Sequence, residues 1–248
     1  MTATRSRSDR NRIADTARAT LRAMPGLGPT FHLQRLEIGD DGVVLLDGEV
    51  PSVAAKKTAL LRIAAIEGVS GIVDRLHVMP AVPMSDKQIR VRVLDALVIE
   101  PSFEGIEIYE RSGDVVQLIR GAPVRVRGTI DAEVVDGVIV LNGRVPSLAS
   151  KRLAGVICWW VPGVRDVVNG LIVEPSEEDG PPRVAEAVRA VLERDPFVES
   201  ARIRVGVRNT VVRLTGTVST AVAAAAAERD AWMVFGVDAV INRLEVHP

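Results

Sequence analysis

The sequence predicts an α+β fold: three tandem small modules, each running helix–strand–strand–helix–strand, with two helices on one face of a three-stranded sheet. The middle module is expected to carry extra strands. Three observations predict this. First, a ten-residue segment recurs: Val43-Val44-Leu45-Leu46-Asp47-Gly48-Glu49-Val50-Pro51-Ser52, then Val138-Ile139-Val140-Leu141-Asn142-Gly143-Arg144-Val145-Pro146-Ser147, then Val211-Val212-Arg213-Leu214-Thr215-Gly216-Thr217-Val218-Ser219-Thr220. Second, another glycine follows 20 positions later in every copy (Gly68, Gly163, Gly236), and Asp74, Asn169 or Asn242 comes 6 positions after that. Three segments that keep both intervals without a gap write one structural unit three times. Third, apolar residues at helical spacing precede each copy.

The elements follow in order. The opening helix of the first copy carries Ile13, Ala17 and Leu21 and leads to Pro25. In the second copy Ser85 and Gln88 have capping-box spacing, with Ile89, Val93 and Leu97 behind them. In the third, Val184, Val188, Val191 and Leu192 share a face that ends at Asp195-Pro196. The glycine strand then alternates, as in Val212, Leu214 and Val218 against Arg213 and Thr217. Gly48, Gly143 and Gly216 are expected where another backbone comes close or the strand bulges. Ser52, Ser147 and Thr220 are natural N-caps for the second helix. Gly68, Gly163 and Gly236 suit a left-handed C-terminal cap, a conformation that only glycine adopts without steric cost. A short Val/Ile strand closes the unit.

This order, with its Val-x-Leu-x-Gly-x-Val strand, its Gly-Val after the second helix and its final Val-x-Asn/Asp-x-Leu strand, resembles the BON domain (bacterial OsmY and nodulation). The resemblance spans modules at residues 10–79, 84–174 and 182–247. It implies a bacterial, non-enzymatic binding module that associates with phospholipid membrane or envelope components under osmotic or other stress. One relative binds potassium, but it carries an additional LysM domain with no counterpart here. Cytosolic cation sensing therefore stands as a second alternative.

The middle copy departs from the pattern. From Pro101 to Gly143 is 42 positions, against 23 from Pro25 to Gly48 and 20 from Pro196 to Gly216. The surplus falls in 104–137 and reads as strands at 106–109, 115–119 and 124–127. Residues 1–9, with Arg5 and Arg7 ahead of Arg10 and Arg12, are expected to form a disordered arm. Pro80 to Pro83 is a short stiff linker, whereas 175–181 is acidic, extended and expected to be mobile. The first two modules should then be held closer together than the last two.

Composition excludes several classes. The chain is 47% hydrophobic with only 3% aromatic residues, so its cores rest on Val, Leu, Ile and Ala. A formal charge of −1 argues against nucleic acid as a partner. The longest uncharged apolar stretch, Leu153 to Val164, has 12 residues, where a membrane helix needs about 20. No signal peptide is evident, so the expected location is cytoplasmic, peripheral where a membrane is the partner.

Nothing in the sequence assembles into catalysis, and no cofactor or metal is expected. His32, His77 and His247 lack ligand spacing, and no nucleotide-binding, zinc-protease or nucleophile-elbow motif occurs. Cys158, the one cysteine, matches Ile63 and Ala231 on the sheet-facing side of the second helix and reads as inert. Asp74, Asn169 and Asn242 read as side chains that satisfy nearby backbone groups. Arg111, Arg120, Arg125 and Arg127 read as a solvated sheet face, with a basic strip as the alternative.

One surface resists such a reading. On a helical wheel Ala59, Ile63 and Ile66, with Ala154, Cys158 and Val161, and Ala227, Ala231 and Val234, face the sheet. The opposite side carries Leu61, Ala64 and Ala65, then Val156, Trp159 and Trp160, then Arg229, Trp232 and Met233. An isolated module would expose these groups, which marks a contact surface. Three occupants compete: a neighbouring module or another protein chain, including a homo-oligomer or self-assembling scaffold; a membrane interface, where Trp is enriched; or a ligand in a groove between modules.

Overall fold

The computed structural model describes residues 6–28, 31–123 and 125–247. The chain divides after Met79 into two compact units, each taken by itself below.

The first unit is the first module. Helix α1 (Arg7–Arg22) starts at Ser6, whose hydroxyl accepts the Asp9 amide at 3.1 Å. It buries Ile13, Ala17 and Leu21, one side of a helix read every fourth residue. Strand β1 (His32–Ile38) pairs antiparallel with β2 (Val43–Val50). Helix α2 (Val53–Ala64) then carries the chain back to β3 (Gly71–Val78), which lies parallel to β2. The strand order is β1-β2-β3, and Val44, Leu46 and Val50 of the central strand point into the core beneath α2. The disordered arm expected over 1–9 is thus corrected over 6–9, and residues 1–5, Arg5 among them, lie outside the described residues. Arg7, Arg10 and Arg12 lie on α1, because Ser6 satisfies an amide of the first turn.

The second unit holds the other two modules. The middle one runs α3 (Asp86–Ile99), β4 (Ile106–Ser112), β5 (Val115–Arg120), β6 (Gly128–Val135), β7 (Val138–Val145), α4 (Leu148–Trp159), β8 (Asp166–Asn169) and β9 (Ile172–Val173). Its sheet order is β5-β4-β6-β7-β8, with β9 also on β7. The third module runs α5 (Pro181–Leu192), β10 (Ile203–Arg208), β11 (Val211–Val218), α6 (Ala221–Met233) and β12 (Ala239–Val246), in the order β10-β11-β12. β6-β7-β8 repeats the three-stranded pattern of the other modules, an antiparallel hairpin followed by a parallel crossover through a helix. The insertion adds β4, parallel to β6, and β5 at the sheet's edge. Of the three strands expected there, the first two form. Arg125 to Arg127 is irregular, its last amide bonded to the Gly105 carbonyl, and Val124 lies outside the described residues.

The repeat residues do the same local work in each copy. Ser52, Ser147 and Thr220 accept the amides of Ala55, Ser150 and Ala223 and so cap α2, α4 and α6. Asp74, Asn169 and Asn242 accept the amides of Leu76, Leu171 and Leu244. The amide groups of Asn169 and Asn242 also donate to the carbonyls of Lys151 and Ala224, tying third strand to second helix. In the first module that tie is ionic, with Lys56 Nζ 3.0 Å from Asp74. At Gly48 and Gly143 a Cβ would strike the paired strand's backbone at His32 and Thr129, and at Gly216 it would strike Arg202, just ahead of the paired strand. The close approach expected there is real.

The expected helix caps need correction. The C-caps are Ala65, Trp160 and Val234, and Gly68, Gly163 and Gly236 lie beyond them. Each occupies the left-handed position of a following turn closed by Val69 to Ile66, Val164 to Val161 and Val237 to Val234.

The acidic linker departs from its expected role. The second and third modules share one continuous hydrophobic core, whereas the first has its own. The acidic segment is held in place: Glu177 accepts the Leu148 amide at 2.9 Å, and both carboxylate oxygens of Asp179 bond Arg152. Composition alone misjudged it, because Glu177 and Asp179 have partners on α4.

Candidate functional site

Two surfaces bear on function, and the first is internal to the second unit. Helix α4 packs on β7 and β8 of its own sheet and on α5 and α6 of the third module. Every residue from Arg152 to Cys158 is consequently buried. Apolar burial is non-directional, so polar contacts fix the fit. Trp160 donates its indole N–H to Asp230 on α6 at 2.9 Å. Arg152, whose side chain is wholly buried, reaches the Phe235 carbonyl at 2.9 Å and Asp179 at 2.7 and 2.8 Å. Its position near the C-terminus of α6 suits a cation. Arg194, after α5, grips Glu100 at the end of α3 through contacts of 3.0 to 3.1 Å. Burial pushes the Glu100 carboxyl up, but hydrogen bonds from Arg194 and Ser102 outweigh it and hold the group below its usual range.

The tryptophan surface is therefore dispersed. Val156 is fully buried, and Trp159, Trp160 and Met233 are half-buried against the core that the two modules share. Trp232 is half-buried, whereas Leu61, in the first module, is exposed. Of the occupants considered for the α4 face, the neighbouring module is the one seen. The surface does not assemble as one patch.

A group not anticipated from the sequence sits at this junction. Asp230 is buried against Asp195 and Trp160. Burial pushes its carboxyl up to about 7; the Trp160 hydrogen bond lowers it, and the hydrogen bond to Asp195 raises it further. Burial away from water is the main cause, and the neighbouring Asp195 carboxyl adds to it. No distinct signal for it stands in the sequence, because Asp230 stands beside Glu228 and Arg229 as in an ordinary polar turn of a helix.

The second surface belongs to the first module. Its two helices carry eight cationic side chains (Arg7, Arg10, Arg12, Arg18, Arg22, Lys56, Lys57, Arg62) against two acidic ones, Asp9 and Asp15. The chain as a whole is −1, so charge is segregated here. Arg10 pairs with Asp40 and Arg18 with Asp15, and Arg7, Arg12, Arg18, Arg22 and Arg62 are exposed. An open cleft of about 470 Å³ lies between α1 and β1, lined by Arg7, Arg10, Asn11, Arg18, Leu36 and Ile38 among others. Leu61, Ala64 and Ala65, the counterparts of the covered Val156, Trp159 and Trp160, are exposed beside Arg62. The layer that the second unit buries is bare and basic in the first.

Other candidates resolve into structure. Burial pushes the Cys158 thiol up, far from reactivity. Arg111 pairs with Asp131 across the sheet, and Arg120 donates to the carbonyls of Val98, Phe103 and Ile106, so a continuous basic strip does not form. Among the described residues no group of three His, Cys, Asp or Glu comes together as metal ligands, and no helix is long and apolar enough to cross a membrane.

Comparison with known proteins bears on all three modules. The family model described as BON domain matches residues 37–80, 122–175 and 182–248, about two thirds of the chain. The matches leave out α1, α3 and the β4–β5 hairpin. No curated protein matches. Two solved structures of CdsD, a structural protein of the type III secretion system of Chlamydia trachomatis, are similar at 17% identity and a TM-score of 0.24. One of them is of the C-terminal domain of CdsD. The similarity covers 94% of this chain and 96% and 90% of the two CdsD chains.

Proposed function

Because the chain belongs to the BON domain family, in three copies, we propose that it is a non-catalytic binding protein that docks on anionic phospholipid at a membrane or envelope surface. The observation that carries this reading is the charge segregation on α1 and α2 of the first module. Each basic residue near an anionic surface contributes about 1 kcal/mol, and the attraction fades within about a Debye length. Leu61, 44% exposed and flanked by Arg62, supplies an apolar contact at the same face. The arginine-lined cleft beside α1 has the charge to receive a headgroup phosphate. The tie to osmotic or other stress rests on the family resemblance alone.

Val156 and Trp160 are engaged between modules, which moves the proposed contact from the tryptophans to the first module. Flotation with vesicles containing phosphatidylglycerol, beside vesicles of phosphatidylcholine alone, tests the assignment. Binding is expected only to the anionic vesicles, weakening as salt rises. Arg12→Glu/Arg18→Glu should reduce it at least tenfold, whereas Trp160→Phe should leave it unchanged. Equal binding to both vesicle types, or an unaffected arginine variant, rejects the reading.

A further inference from the structure

We propose that the edge strand β5 pairs with the β5 of a second copy of this chain, joining two six-stranded sheets into one. β5 ends the sheet β5-β4-β6-β7-β8 and is bonded on one side only. Natural edges are protected by charge, proline or a covering element. This one has none of these along Val115 to Ile119, every residue of which is exposed. Val115 is 68% exposed, Val116 45%, Leu118 50% and Ile119 38%, so both faces of the strand present apolar side chains.

The strand's own order points to a second copy. Ser112 and Val115 close a two-residue turn in which Gly113 has φ +59°. A pair that closes such a turn is hydrogen-bonded, so Val116 and Leu118 turn their N–H and C=O away from β4. Antiparallel self-pairing about Gln117 sets Val116 against Leu118 of the other copy, and Leu118 against Val116. Val115 then stands beside Ile119, and Gln117 meets Gln117. At the ends Asp114 faces Arg120 of the other copy. The Arg120 guanidinium already donates to three carbonyls, so its charge, rather than a new hydrogen bond, meets the acid. The bulge that leaves Ile119 unpaired with β4 bounds the register at its far end. A register that matches apolar to apolar and acid to base is self-complementary, as a two-fold contact requires. This inference is independent of the lipid reading, which concerns the first module.

The full chain carrying Gln117→Cys tests the contact. Gln117 pairs with itself at a non-hydrogen-bonded site, where Cα atoms are about 4.5 Å apart and a disulfide fits. Cys158 is buried and does not compete. Mild oxidation should convert most of the protein to a covalent dimer, while Val222→Cys, also exposed but distant in sequence, should not cross-link. Light scattering should show a dimer in the unmodified chain. Val116→Lys/Leu118→Lys, which sets like charges opposite each other, should weaken it at least tenfold without changing the melting temperature. Mixing that variant with Val116→Glu/Leu118→Glu should restore it. A monomer at all concentrations, or a dimer indifferent to these changes, overturns the proposal. A monomer that captures a strand from a different protein overturns it equally.

Discussion

At the scale of residues, a few positions concentrate the energetics. The Asp230 carboxyl binds a proton more tightly than a free carboxyl because it is buried, beside Asp195, while Trp160 donates to one of its oxygens. A carboxyl raised in the folded state binds protons more tightly there than in the unfolded chain. The stability it adds is full below the unfolded value near 3.8 and is lost as pH rises toward about 7. Asp230→Asn imitates the protonated form and keeps both contacts. Melting curves at pH 5 and pH 8 should show the parent losing stability between them, and the variant holding nearly constant. Gly216 makes the steric case, since its Cβ would meet the Arg202 carbonyl and its φ is +125°. Gly216→Ala is expected to lose about 2–4 kcal/mol in urea titration, as a strained backbone and a forced strand separation would require. Gly206→Ala, with nothing within 4 Å of the added carbon, should change stability by less than about 1 kcal/mol. The strand glycines were readable from their spacing. Asp230 was not, because its meaning depends on Asp195 and Trp160, 35 and 70 positions away.

At the scale of elements, α2 and α4 show how one pattern acquires two fates. Both begin at a serine cap and bury alanines toward their sheets. Beyond that, α4 carries Val156, Trp159 and Trp160 where α2 carries Leu61, Ala64 and Ala65. The wheel showed that α4 needed a partner on its back face, and left open which. The decisive polar element, Arg152, passed as one more helix cation in the sequence. It is buried, and Asp179 in the supposedly mobile linker neutralises it. An asymmetry follows. Asp179→Ala strands a buried guanidinium and should destabilise the second unit by about 3 kcal/mol. Arg152→Met leaves only a partly exposed carboxylate unpaired and should cost less than half of that. Denaturant titration of the two variants side by side checks the order; a larger loss for Arg152→Met contradicts it.

At the scale of the molecule, three similar modules make two units. The first has a core of its own, with Val44, Leu46, Ile63 and Leu76 at its centre. The other two share a core running from Ile89 to Val237. Unfolding should therefore proceed in two transitions. Val44→Ala should shift only one, and Val156→Ala, at the junction of the other two modules, only the other. Each should lose about 2–3 kcal/mol, the usual effect of emptying a buried valine site. Calorimetry with a single transition moved by both variants would contradict the division.

The sequence by itself determined what is local or repeated: three copies, the order of elements, the N-capping residues, the crowded strand glycines and the side chains that pin the last strand. These are written within a few residues of where they act, and threefold recurrence separates them from chance. Only the tertiary structure decided which apolar faces meet each other, that the acidic linker is clamped, and that β5 stands bare at a sheet edge. The physical reason is that helical periodicity tells a face to leave water without naming what will cover it. That choice falls to partners far along the chain, through a force with no direction, and distant polar contacts such as Arg152 with Asp179 and Trp160 with Asp230 then make it specific.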